Sequence, residues 1–177
     1  LILPAEDYRR THIVTPGKLH QGADAIVHEL AGWYQRRAAV GRALKQESEK
    51  ISEMAQGLYH VSDRRLRERL SEIQLRFRRQ DKGYEDLLPE ALATMVEVSH
   101  RTLGLIPYTV QVMGALALYR GYLAEMATGE GKSLTACLPS VLAAWTGRPF
   151  HFVTVNDYLA SRDAVEMNPL YAYCGVS

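Results

Sequence analysis

Between residues 62 and 120 the apolar positions recur at helical spacing; beyond residue 121 they shorten into runs that read as strands. Leu66, Leu70, Ile73 and Phe77 mark one helix face, and Ser62-Asp63 can cap its start. Leu88, Ala91, Leu92, Met95 and Val96 set the next helix, with Pro89 suited to its first turn and Gly104 and Pro107 ending it. Thr109 can cap a short helix running to about Tyr119. Upstream, Ala23 to about Gly57 is rich in Ala, Leu, Arg, Lys and Glu and reads as helical. Gly32 and Gly41 leave one long helix and two shorter ones both open. Residues 1 to about 22 read as irregular, because Pro4, Pro16, Gly17 and Gly22 interrupt every pattern.

The second half predicts a different unit. Tyr122-Leu123-Ala124-Glu125-Met126 reads as a short strand after Gly121. Leu134, Leu138, Val141, Leu142 and Trp145 then lie on one stripe of a helix that begins near Gly131 and stops at Gly147. Phe150-His151-Phe152-Val153-Thr154-Val155 reads as a second buried strand, and Asn156-Asp157 can cap a helix after it. Strand, loop, helix and strand make a βαβ unit with parallel strands and a right-handed crossover.

The loop inside that unit carries the chemistry. In Met126-Ala127-Thr128-Gly129-Glu130-Gly131-Lys132-Ser133, the glycines let the chain turn tightly so that several N–H groups converge on one hollow. Lys132 adds a mobile positive charge for the outer phosphates of a nucleotide, and the Ser133 hydroxyl suits Mg²⁺. The following helix start favours anions. Met126 stands where the strict phosphate-loop pattern has glycine, whereas Thr128 to Ser133 satisfy the looser Thr-Gly-x-Gly-Lys-Ser form throughout. The bland reading is a glycine turn joining strand to helix with Lys132 merely solvated.

Composition adds bounds rather than direction. The chain has 177 residues, average apolar content (47%) and a net charge of +1, so whole-chain charge selects no partner. No apolar run approaches membrane-spanning length, and Leu1-Ile2-Leu3-Pro4 is too short for a secretory signal. Cys137 and Cys174 lack metal-ligand spacing and read as buried thiols of a reducing compartment. Arg64, Arg65, Arg67, Arg69, Arg76, Arg78 and Arg79 surround the Leu66–Phe77 face. They form either a solvated surface or a contact for anionic lipid or another acidic partner. Few aromatics interleave them, so a nucleic-acid platform is not expected.

Four separated segments together resemble the SecA family, the motor ATPases of bacterial preprotein translocation. They are Asp86-Leu87-Leu88-Pro89-Glu90-Ala91, Pro107-Tyr108-Thr109-Val110-Gln111-Val112-Met113-Gly114, Ala124 to Ser133, and Val153-Thr154-Val155-Asn156-Asp157-Tyr158-Leu159-Ala160-Ser161-Arg162-Asp163. The likeness covers roughly residues 68 to 177 and departs from the family at Leu105-Ile106, where Met-Arg or Met-Lys is usual, and at Ala127, where Lys or Arg is usual. It implies an α/β fold with a partial RecA-like (P-loop NTPase) parallel sheet, preceded by an α-helical N-terminal region. Residues 1–60 are then an extension, and 61–177 the opening part of the first nucleotide-binding domain.

The resemblance also assigns roles. Gln111 contacts adenine and Tyr108 packs near the base, while Thr128, Gly129, Glu130, Gly131, Lys132 and Ser133 hold the phosphates of ATP, with Ser133 on Mg²⁺. The implied partners are the SecYEG channel, secretory preproteins and anionic lipid, and no nucleic acid is expected. The implied location is the bacterial cytoplasm, peripheral at the inner membrane. No Asp-Glu pair occurs in the chain to hold Mg²⁺ and orient water, and the family's arginines come from a second domain. The chain is therefore expected to be truncated, to bind nucleotide weakly or not at all, and not to turn over. Two alternatives are a superfamily 2 nucleic-acid helicase fragment, and a non-catalytic lipid- or partner-binding module.

Overall fold

The computed structural model describes residues 26, 27, 32, 38–80 and 82–176. The expectation of an irregular segment over residues 1–22 lies outside these residues. The chain divides into two compact units at Val40/Gly41, and the second, from Gly41 onward, holds the Met126–Ser133 loop.

Among the described residues, the helices from Ala38 onward are α1 (Ala38–Gly57), α2 (Asp63–Arg79), α3 (Leu88–Leu103), α4 (Thr109–Tyr119), α5 (Lys132–Trp145) and α6 (Asp157–Tyr173), with a 3₁₀ turn at Tyr84–Leu87. α1 runs through Gly41 without a break. α2 starts where a cap was expected: the Ser62 hydroxyl accepts the Arg65 amide at 3.4 Å. Its buried residues are Leu66, Leu70, Ile73 and Phe77. Pro89 occupies the first turn of α3, where its missing N–H leaves no helix bond unmade. Gly104 ends α3 in the left-handed conformation (φ 67°), which glycine adopts without a Cβ penalty.

α5 is the centre of the assembly. It packs on α4, α2 and α6, while α3 packs on α6 and α2. Its expected stripe is the buried one, Leu134, Leu138, Val141, Leu142 and Trp145. Trp145 meets Phe77 edge-on with centroids 5.9 Å apart. Its indole N–H donates to the Cys174 carbonyl at 2.9 Å, which fixes the end of α6 against α5. Each large side chain buried here removes area worth about 1.5–3 kcal/mol from water.

The expected sheet is not observed. Among the described residues neither Tyr122–Met126 nor Phe150–Val155 is a strand, and the βαβ unit appears as coil, helix, coil. A strand exists only through ladder bonds to a neighbour, and these segments form no ladder with each other or with any other described residue. Several of their apolar side chains stay in solvent: Leu123 is 97% exposed and Val153 92%. The apolar runs are present in sequence, but the strands that would pair with them are not among the described residues.

Candidate nucleotide site

The loop predicted to cradle phosphate is a turn leading into a helix. Gly129 (φ 88°) and Gly131 (φ 75°) both sit in the left-handed region, and Gly131 caps α5. The turn closes through the Glu130 amide, which donates to the Ala127 carbonyl at 3.4 Å. The amides of the first turn of α5 therefore point out of the helix without intrahelical partners.

Gln111 ties this loop to α4. Its side chain is almost fully buried. Oε1 accepts the Tyr108 amide at 2.9 Å, and Nε2 donates to the Glu130 carbonyl at 2.8 Å. A carboxamide is the only neutral side chain with one acceptor and two donors on one planar group, as this bridge requires. The packing leaves no room for a larger residue at the loop: a Cβ on Gly131 would collide with Gln111 Nε2. A Cβ on Gly114 would lie 2.8 Å from the Thr135 methyl, so α4 and α5 approach closely at the same place.

Two polar side chains of the loop are engaged. Lys132 Nζ donates to the Ala127 carbonyl at 2.6 Å. Ser133 Oγ donates to Asp163 Oδ2 at 3.0 Å, a contact 30 residues away that no local spacing could announce. Arg162 holds the other carboxylate oxygen of Asp163 at 2.7 and 3.1 Å. The Arg162 hydrogen bond, opposed by partial burial and helped by Ser133, keeps the Asp163 carboxyl below its ordinary range.

A cavity of about 880 Å³ opens beside the loop. Tyr108, Gln111, Gly129, Gly131 and Ser133 line it, with Glu166 and Met167 from α6. Thus five of the expected site residues converge on one hollow. Thr128, Glu130 and Lys132 are exposed and do not line it. Tyr108 is 74% exposed at the rim, and Glu130 contributes its carbonyl rather than its carboxylate. The far wall carries a polar cluster that no sequence spacing singles out. Glu97 is buried against Arg101 at 2.7 Å, and Tyr59 stacks on His100 at 4.7 Å.

These features match a known family. Residues 28–177 match the SecA DEAD-like domain. The chain belongs to the SecA family. It is 43% identical over 176 residues to the protein translocase subunit SecA 2 of Chlorobium chlorochromatii, covering 99% of this chain and 27% of that protein. It is 42% identical over 167 residues to the SecA 2 subunit of Magnetococcus marinus, covering 94% and 26%. Identity is 47% over 135 residues with the SecA subunit of Rubrobacter xylanophilus, covering 76% and 15%. The chain thus spans about a quarter or less of the curated relatives it matches. SecA membership reaches further toward the N-terminus than the segments at 68–177 alone indicated. Among the described residues no helix is long and apolar enough to cross a membrane.

Two left-handed glycines, at one of which a Cβ would strike Gln111, a lysine at the helix start and a serine hydroxyl form a donor set whose chemistry suits a phosphate tail with its Mg²⁺.

Proposed function

We propose that this chain is the ATP-binding part of a SecA-type motor that drives preprotein translocation. The observation that carries the reading is the Gln111–Glu130 bridge. It couples the segment that recognises the base in the family to the turn that would hold the phosphates. In this reading the cavity takes the nucleotide, with the base toward Tyr108 and Gln111 and the phosphates on Gly129, Gly131 and Lys132. Lys132 must leave the Ala127 carbonyl to meet them, exchanging one hydrogen-bond acceptor for an anion. Ser133 would hold Mg²⁺, which would supply charge neutralisation on the outer phosphates.

Hydrolysis needs an acidic pair, and no Asp-Glu pair occurs in these 177 residues; it also needs arginines, which in the family come from a second nucleotide-binding domain. Turnover in this reading belongs to the longer polypeptide typical of the family, whose added strands pair with Tyr122–Met126 and Phe150–Val155 to complete a RecA-like sheet. Engagement of a SecYEG-type channel, of preproteins and of anionic lipid from the cytoplasmic face also belongs to that polypeptide. The basic helix α2 gives the lipid reading little separate support. Arg64, Arg67 and Arg69 pair with Glu68, Asp63 and Glu90 at 2.9–3.0 Å, as on an ordinary solvated surface.

The test is titration of a fluorescent ATP analogue into the chain. Weak, saturable binding lost in Lys132→Ala supports the reading. Equal binding by both proteins rejects it. A magnesium-dependent ATPase rate from this chain, abolished by Lys132→Ala, would refute the assignment of turnover to the longer polypeptide.

A further inference from the structure

We infer that Asp163 is a positioning residue for the cation: it orients the Ser133 hydroxyl so that its lone pairs face the nucleotide. The inference rests on the nucleotide reading and adds a residue from α6 to it. A carboxylate only accepts hydrogen bonds, so in the Ser133–Asp163 contact of 3.0 Å the hydroxyl proton points at Asp163 Oδ2. The hydroxyl oxygen then has both lone pairs directed elsewhere, and a hard cation needs such an oxygen. Without the carboxylate, a serine at the start of a helix has three staggered side-chain positions to sample. It can also turn its proton to a nearby acceptor. The contact removes that freedom before the cation arrives.

The carboxylate is itself held. Arg162 takes Oδ1 through Nε and Nη2 and lies 3.7 Å from Glu166, which lines the same cavity. One oxygen of Asp163 is thus committed to Arg162, and the other to Ser133. Outer partners of this kind, which orient a metal ligand without touching the metal, change metal affinity by about 10–100-fold when removed. Because Asp163 sits on the helix after the Phe150–Val155 segment, the contact also links the cation side of the site to α6.

The experiment measures the affinity of the 177-residue chain for a fluorescent ATP analogue in Mg²⁺ and in EDTA, with circular dichroism to verify folding. Ser133→Ala should abolish the gain that Mg²⁺ provides. Asp163→Ala, which removes the acceptor of the Ser133 proton, should reduce that gain about tenfold, the lower end of the range for such partners, and leave the EDTA affinity unchanged. In a Ser133→Ala background, Asp163→Ala should add nothing. A full Mg²⁺ gain in Asp163→Ala overturns the role. So does an equal loss in Mg²⁺ and EDTA, which marks Asp163 as a structural contact only. Absence of binding by the unmodified chain in both conditions rejects the nucleotide site itself, a result distinct from failure of the Asp163 variants alone.

Discussion

Replacing Gln111 by glutamate separates the two bonds that make it a bridge. The acceptor for the Tyr108 amide survives, since glutamate at this helix position reaches back to the cap amide as glutamine does. The donor to the Glu130 carbonyl is lost, and two oxygens face each other where a 2.8 Å hydrogen bond stood. Losing such a bond costs about 0.5–1.5 kcal/mol, and leaving a shielded carbonyl without a partner raises the cost to about 1–3 kcal/mol. At roughly 2–4 °C per kcal/mol for a chain of this length, Gln111→Glu should melt about 2–12 °C below the unmodified protein. Nucleotide affinity should fall too, because a new negative charge lies beside the phosphate turn; each 1.4 kcal/mol is about tenfold. Gln111→Ala loses both bonds and should destabilise at least as much, without the repulsion. Thermal melting by circular dichroism and titration with a fluorescent ATP analogue read the two effects. If Gln111→Glu melts and binds like the unmodified chain, Gln111 caps α4 and nothing more, and the coupling between α4 and the loop is refuted.

Gly131→Ala should cost about 1–2 kcal/mol from left-handed strain alone, plus the displacement of Gln111, seen as a lower denaturant midpoint. Asn156→Ala removes the side-chain acceptor of the Leu159 amide and should cost about 1 kcal/mol in urea melts with nucleotide affinity unchanged. Burial pushes the Cys137 thiol up to about 11 and the Cys174 thiol up to about 12. Both should therefore resist a thiol reagent at neutral pH and react promptly only in denaturant. The Asp63 carboxyl is lowered first by the Tyr173 hydroxyl and then by Arg67. Its contribution is present above the ordinary value of 3.8 and is lost as pH falls through the lower folded value. Asp63→Asn should flatten the acid limb of a plot of melting temperature against pH.

The helices were legible because their signals are local. Leu66, Leu70, Ile73 and Phe77 announce a buried face at a fixed period, and Ser62, Pro89, Gly104 and Asn156 act within one turn of where they stand. The left-handed glycines of the phosphate turn were legible for the same reason. The strands were not, since Val153 and Val155 have strand chemistry but a strand is defined by a partner supplied from elsewhere. Tyr108 stands mostly in solvent at the helix start, on the rim of the cavity, where backbone geometry fixes its place. Asp163 stood at the end of a recognised segment, but its meeting with Ser133 depends on how α6 returns across α5, a long-range contact no spacing rule encodes. The Glu97–Arg101 pair and the Tyr59–His100 stack were missed likewise, because each draws meaning from the cavity wall it forms.

Function here turns on whether the turn from Thr128 to Ser133 receives the phosphates of ATP. Titrating MgATP into the isotope-labelled chain and following its backbone amides by NMR answers this residue by residue. Phosphates seated in the turn would give saturable shifts concentrated at Gly129, Gly131, Lys132 and Ser133, with a smaller response at Gln111. Shifts confined to the arginine-rich α2, or none at millimolar nucleotide, would overturn the nucleotide site.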